Sequence, residues 1–484
     1  MVTVQTRPPA TTVAFARGPV LAIAGLAGLA LLLTSGRYAG GFDELYFLVA
    51  GRNHLSWGYF DQPPLIPALA AAMDWIAPDS LVVLRLPMTL AAAAGVLVTA
   101  LIAREFGGGR GAQAMAAACY ATSGIVIVSH WIGTYVLDPF LWTVVAWLLV
   151  RWTRTRRDGL LVWAGVVTAV SLETKFLIPA LWAAVLLAAL VVGPRDLPRR
   201  PKLWLGAAIA AVVTVPTLIW QAAHGWPYTH MSEVVAAEFP GYGPWVRDGL
   251  LGAGIGVGVV ALLYGVWRLL RSAELRPYRY LGVALILVAL AVVATQGRSY
   301  YLMGCYAVPF AAAATDLTRR NLVRWWKVVA WPVFVLSAVV TLVALPVWPA
   351  SARTSVGPFS LGSSFAQGEL PQQELAKLIG QTYAALPPAT RARTAVYAEI
   401  YPFAAVTEFY GAPYGIHTVY SGHRAYWYFG PPPESADTVL FAGFDPGLLR
   451  PHFAHETQVV DGLLWRYDGR NAPWSRIWPQ LNRQ

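Results

Sequence analysis

Eleven apolar stretches run through the first 349 residues, near 16–36, 81–103, 112–129, 133–150, 160–175, 176–193, 203–222, 249–270, 279–296, 301–317 and 328–348. A helix needs roughly 17–25 apolar residues to cross a bilayer, so each stretch predicts a span. The polar positions between them alternate in kind. Basic clusters follow every second stretch: Arg104/Arg110, Arg151/Arg154/Arg156/Arg157, Arg195/Arg199/Arg200/Lys202, Arg268/Arg271/Arg276/Arg279 and Arg319/Arg320/Arg324/Lys327, with Arg7 and Arg17 ahead of the first. Lys and Arg accumulate on the cytoplasmic side, which predicts eleven spans, the amino terminus inside and the carboxyl terminus outside. Glu173 and Lys175 interrupt the pattern and predict a tight outer turn between two helices, since one helix of about 30 residues would overshoot the bilayer. The first stretch is as long as the others and no clear A-x-A cleavage site lies between its apolar run and Asp43, so it is expected to be a retained anchor rather than a signal peptide.

Two outer loops are long. The first, 37–80, is rich in Pro and aromatic residues and predicts short helices at the membrane interface. The second, 221–248, contains His224-Gly-Trp-Pro227, His230 and Trp245. From 350 the pattern changes. A Ser/Gly/Pro stretch, 350–368, predicts a linker between a membrane domain (1–349) and a small extracytoplasmic α/β domain (369–484). In the latter, period-2 runs at Thr394–Glu399, His417–Ser421, Asp437–Ala442 and Gln458–Tyr467 predict strands. Helical patterns at Gln372–Leu386 and Pro402–Tyr410 are interleaved with them.

Composition agrees with a polytopic α-helical membrane protein: 57% of the 484 residues are hydrophobic and 13% charged. The net charge of +11 is topological, because twenty of the 36 Lys and Arg residues lie on the side assigned to the cytoplasm, beside five acids. A nucleic-acid partner is therefore not expected. Cys119 and Cys305 fall in apolar stretches, which excludes a disulfide framework and CxxC metal sites. No Walker A lysine motif or dinucleotide fingerprint is present, and the Gly107–Gly109 run has nothing phosphate-specific after it.

Against this apolar background the charges at the outer mouth stand out, because a charge near hydrocarbon costs about 2.5–3.5 kcal/mol on insertion scales. Asp43 and Glu44 follow the first span; they suit a solvated acidic turn or a carboxylate taking a proton from an acceptor. Asp138 precedes Pro139, a pairing that also suits a helix N-cap. Lys175 and Arg298 sit at outer turns, where cations are scarce, and could hold a phosphate or snorkel to the interface. His54, His224 and His230 are outer-side histidines; with Glu44, His54 and His230 are candidates for a divalent metal ion, though no tight ligand spacing supports one. Tyr300 and Tyr301 could stack on sugar faces or belong to an aromatic belt.

Phe42-Asp-Glu-Leu-Tyr46 and Trp57-Gly-Tyr-Phe-Asp-Gln-Pro-Pro-Leu65 resemble the first outer loop of the C superfamily of membrane glycosyltransferases, in the bacterial branch similar to protein O-mannosyltransferases and lipid A aminoarabinose transferase. Leu137-Asp-Pro139, Glu173-Thr-Lys175, His224-Gly-Trp-Pro227, Gly297-Arg-Ser-Tyr-Tyr301, Tyr420-Ser-Gly-His423 and Tyr426-Trp-Tyr-Phe-Gly-Pro431 are similar to the same branch. The resemblance implies a polyprenyl-phosphate-linked sugar as donor. It implies inverting transfer to a lipid, protein or glycan acceptor at the outer face of the bacterial plasma membrane. It further implies a catalytic role for Asp43, with Glu44 and Asp138 as companion carboxylates. Substrate contacts would fall to Asp61, Gln62, Lys175, His224, Arg298, Tyr300 and Tyr301. Arg298 stands where many relatives have Lys. A transporter or flippase of a lipid-linked anion is the alternative that the same charges allow, although transporters place such groups nearer the midplane.

Overall fold

The computed structural model of the chain describes residues 13–320, 324–351 and 363–483. Its amino-terminal part is a bundle of apolar helices. Five are long and apolar enough to cross a membrane: Arg17–Thr34, Leu81–Glu105, Thr134–Thr155, Pro201–Ala223 and Arg276–Ala294. Other apolar stretches are broken where a single span is expected from the sequence. The stretch at 112–129 splits into Arg110–Ala121 and Gly124–Val128 around Thr122 and Ser123. Near 249–270, Tyr242–Gly252 and Val257–Arg271 meet at 97°. Two of the four residues between them, Gly254 and Gly256, have positive φ, a conformation closed to most side chains. A 3-10 turn, Ser299–Cys305, precedes helix Ala307–Arg319. Helices Gly159–Leu172 and Ile178–Val192 flank the turn that carries Glu173 and Lys175.

Small residues let the helices approach closely. Where Gly159–Leu172 crosses Pro201–Ala223, a Cβ on Gly165 would lie 2.2 Å from the Gly206 Cα, so the backbones touch there. This contact holds the Lys175 turn beside the end of the second helix, where Thr217 Oγ1 donates to Glu173 Oε2 at 2.6 Å.

The first long loop folds into helices Phe42–Asn53 and Leu65–Ile76. Glu44 starts the first by accepting a hydrogen bond from the Gly41 N–H at 3.1 Å. The segment between them is pinned from two sides: Gln221 Nε2 donates to the Tyr59 carbonyl at 2.9 Å, and Leu65 N–H donates to the Glu173 carbonyl at 3.0 Å.

Most of the expected 350–368 linker lies outside the described residues, and from Ser363 the chain is helical to Ala384. Beyond it stand four strands: β1 (Thr394–Ala398), β2 (Thr438–Ala442), β3 (Phe453–Val460) and β4 (Leu464–Arg470). They form one sheet in the order β1-β2-β4-β3, β1 and β2 parallel, the other pairs antiparallel. Two expectations fail here. His417–Ser421 makes only a single bridge, Tyr420 to Tyr397. The Gln458–Tyr467 run is a hairpin turning at Asp461-Gly462, with Gly462 at φ +64°, the Asp-Gly chemistry that favours two tightly paired strands.

The carboxyl-terminal unit does not stand apart. One apolar core joins Leu45, Tyr46, Phe47 and Tyr59 of the first loop to Ala404, Ala405, Val406, Tyr426 and Leu440 beyond the linker. That shared core fixes the seam in which the site lies.

Candidate active site

A cavity of about 390 Å³ opens at the junction of the helix bundle, the first loop and the carboxyl-terminal unit. One wall comes from the first loop. Asp43, in the first turn of Phe42–Asn53, faces the cavity beside Tyr46, and the following segment adds Asp61 and Gln62. Tyr46 Oη donates to Asp61 Oδ1 at 2.8 Å. Burial raises the Asp61 carboxyl above the usual carboxylate range, while Arg424 opposes the shift.

The facing wall is cationic. Lys175 is placed by its turn, where its N–H donates to the Ser171 carbonyl at 2.7 Å. Its ammonium lies 4.2 Å from the Tyr301 ring centroid and 5.0 Å from that of Tyr300. Among the described residues no carboxylate forms a salt bridge with it. Arg298 donates to Tyr300 Oη at 3.2 Å and pairs with Glu238. Two cations backed by two phenol rings make a wall suited to a phosphate.

The third wall comes from beyond the linker. Tyr401, at the start of helix Tyr401–Tyr410, donates its hydroxyl to Asp43 Oδ1 at 2.6 Å. Burial raises the Tyr401 phenol above its ordinary value and Asp43 adds to the shift, so it stays a donor. Arg424 lies 4.9 Å over the Tyr401 ring, 3.9 Å from Asp61 Oδ2 and 3.3 Å from Glu238 Oε1. Neither Tyr401 nor Arg424 stands out in the sequence as a site residue. The only signal near them is the cluster of residues similar to the glycosyltransferase branch at 420–431, which brackets Arg424.

Several expected site residues lie elsewhere. Glu44 is fully buried behind the cavity wall and is held by Arg85, whose Nε and Nη2 reach its two oxygens at 2.9 and 2.7 Å. A carboxylate so paired is structural, not a free base or a metal ligand. Asp138 is no N-cap: its helix starts at Thr134, and its Oδ1 accepts from Ser171 Oγ at 2.6 Å and Trp142 Nε1 at 3.1 Å, outside the cavity lining. It braces the Lys175 turn. His224 also stands outside the lining, stacked on Trp220 at 4.1 Å between centroids. The metal candidates are not brought together. His54 stacks on Phe429 at 4.0 Å, and His230 lies 4.0 Å from Glu233. Among the described residues no group of three or more His, Cys, Asp or Glu side chains is arranged to hold a metal ion.

Residues 61–220 match the family model described as dolichyl-phosphate-mannose-protein mannosyltransferase. The chain is also similar to ArnT from Cupriavidus metallidurans, in the apo state (16% identity, 94% of this chain and 98% of that one, TM-score 0.62) and bound to undecaprenyl phosphate (16%, 93% and 98%, TM-score 0.60). It is similar to the archaeal oligosaccharyltransferase AglB from Archaeoglobus fulgidus, in complex with an inhibitory peptide and a dolichol-phosphate (13%, 82% and 64%, TM-score 0.51). This chain shares its fold with those structures. No curated protein sequence matches it. The family-model match covers Asp61, Gln62 and Lys175; Asp43, Arg298, Tyr401 and Arg424 lie outside it and share the cavity with them.

Proposed function

We propose that the protein is a glycosyltransferase that moves a sugar from a polyprenyl-phosphate carrier to an acceptor at the extracytoplasmic face of the membrane. The observation that carries this reading is a carboxylate, Asp43, facing two cations, Lys175 and Arg298, across one cavity. A lipid phosphate seated on the cations leaves as an anion whose charge they stabilise, so no general acid is required. Asp43 takes the proton of the acceptor hydroxyl or amine, held toward the cavity by Tyr401. Attack from the side opposite the phosphate inverts the anomeric carbon. The acceptor's own bond to that carbon forms as the carbon–phosphate oxygen bond breaks.

In this reading the chain crosses the plasma membrane eleven times, the amino terminus inside and the carboxyl-terminal unit outside. The alternation of basic clusters supports that orientation. A transporter reading is less well supported, because it leaves unused a carboxylate held by a phenol opposite the cations. The test is transfer of label from radioactive polyprenyl-phosphate sugars by purified protein in nanodiscs, with a membrane extract as acceptor. Asp43→Asn is expected to lower turnover by about 10²–10⁴-fold. Donor binding with no turnover in the wild type would contradict the reading.

A further inference from the structure

Three polar groups of the cavity have hydrogen-bonding capacity that the protein does not use. Gln62 is 2% exposed, yet neither its carboxamide oxygen nor its nitrogen has a partner among the described residues. Arg424 Nε is likewise buried and unpartnered. Its Nη2 donates to Glu238 Oε1 at 3.3 Å and its Nη1 lies 3.9 Å from Asp61, too far for a hydrogen bond, so most of its five donors remain available. Asp61 spends one oxygen on Tyr46 and keeps acceptor capacity on the other. Buried polar groups of folded proteins are mostly paired; other unpartnered atoms occur among the described residues, Tyr426 Oη and Thr407 Oγ1 among them, but of these groups only Gln62 and Arg424 line the cavity.

Arg424 is also held there at a cost to the backbone. Its φ of 52° and ψ of −132° are rarely adopted by a residue with a side chain. Its N–H is tied to the Arg483 carbonyl at 2.9 Å, which keeps the guanidinium aimed into the seam. Strain of this kind persists where function requires a side chain in one place.

We infer that Asp61, Gln62 and Arg424 form a subsite that reads the hydroxyls of the donor's sugar. A carboxylate, a carboxamide and a guanidinium together offer acceptors and donors to adjacent hydroxyls. The rings of Tyr46 and Tyr401, 4.8 Å apart between centroids, supply an apolar face for the ring carbons. The carboxyl-terminal unit, through Arg424, thereby takes part in donor selection.

This inference rests on the glycosyltransferase reading, and one experiment separates the two. Wild type, Gln62→Leu and Arg424→Lys in nanodiscs are given bare polyprenyl phosphate, a polyprenyl-phosphate hexose and its deoxy analogues. Binding and transfer are both measured. The wild type is expected to prefer the hexose over its deoxy analogues. Gln62→Leu is expected to lose about tenfold or more in affinity for the sugar-bearing donor, and its preference for the hexose over one deoxy analogue, while bare polyprenyl phosphate binds as before. Replacing an orphaned amide with an apolar side chain of similar size should leave thermal unfolding unchanged or raised, so loss of fold is checked directly. Equal losses for bare and sugar-bearing carrier, an unchanged preference in both variants, or a wild type indifferent to the missing hydroxyls would each overturn the subsite while leaving the transferase standing. Absence of transfer from every donor by the wild type would overturn both.

Discussion

Asp43 and Glu44 are neighbours in the chain, yet the helix that begins at Phe42 sends them in opposite directions, one into the cavity and one into the protein. The sequence offers two equivalent acids; what separates them is Arg85, a residue with no motif around it, 41 positions away. Its guanidinium spends two donors on Glu44 and reaches the carbonyls of Ser35 and Ala39 at 2.7 and 2.9 Å. Removing one partner of a buried ion pair leaves the other uncompensated, at about 3–5 kcal/mol. Arg85→Met is therefore expected to lower the thermal unfolding midpoint strongly, and Glu44→Gln in the same chain to recover part of the loss. An additive double variant would show that the pair is not coupled. The cationic wall carries a different expectation. Lys175→Ala and Arg298→Ala should each weaken binding of bare polyprenyl phosphate by about tenfold or more, as loss of a charged hydrogen bond does. Arg298→Lys should keep the charge and lose only the forked geometry. Direct binding of the lipid phosphate checks all three.

Among the elements, helix Ser363–Ala384 is the strap that docks the carboxyl-terminal unit onto the membrane part. Glu369 on it accepts from Trp131 Nε1 at 2.6 Å and lies 3.6 Å from Arg85 and 3.4 Å from His130. Burial pushes its carboxyl up to about 8; Arg85 opposes the shift and Glu44 adds to it. A folded-state value raised above the ordinary 4.5 gives stability that is fully present below 4.5 and lost as pH rises through 8. Hydrogen exchange of this helix should therefore quicken between about pH 5 and 8 relative to the rest of the chain, and Glu369→Gln should flatten the difference. An equal pH profile in the two proteins would remove Glu369 from the docking. Element by element, what was legible in the sequence followed from local pattern: the turn at Glu173–Lys175 from charges that interrupt an apolar run, both first-loop helices from Pro and aromatic content, and β1 and β2 from period-2 alternation. What was not legible depended on partners far along the chain. Asp138-Pro139 has the local chemistry of a cap, but Gly133 starts the helix instead and Ser171 claims the carboxylate. The breaks at 122–123 and 253–256 lie inside stretches whose hydropathy is continuous.

At the scale of the whole molecule, the seam matters more than either part. Hydropathy separates a membrane half from a polar tail, and that division predicted two domains. The apolar core shared by Tyr46, Phe47, Val406 and Tyr426 joins them, and the cavity takes its third wall from Tyr401 and Arg424 because of that joint. No local pattern signals such a wall, since it exists only once the tail is folded back. The first-loop acids and the two cations could be read from their place beside apolar spans, whereas the phenol that holds Asp43 could not. In the proposed reading one cavity divides its labour, with Lys175 and Arg298 holding the lipid phosphate and Asp43 taking the acceptor's proton. The measurement that tests it most directly compares Asp43→Asn with the Lys175→Ala/Arg298→Ala double variant, scoring affinity for bare polyprenyl phosphate and single-turnover sugar transfer on the same preparations. Asp43→Asn is expected to keep the affinity and lose the transfer, while the double variant is expected to lose the affinity. Transfer that survives in Asp43→Asn, or lipid-phosphate affinity that survives loss of both cations, would contradict it.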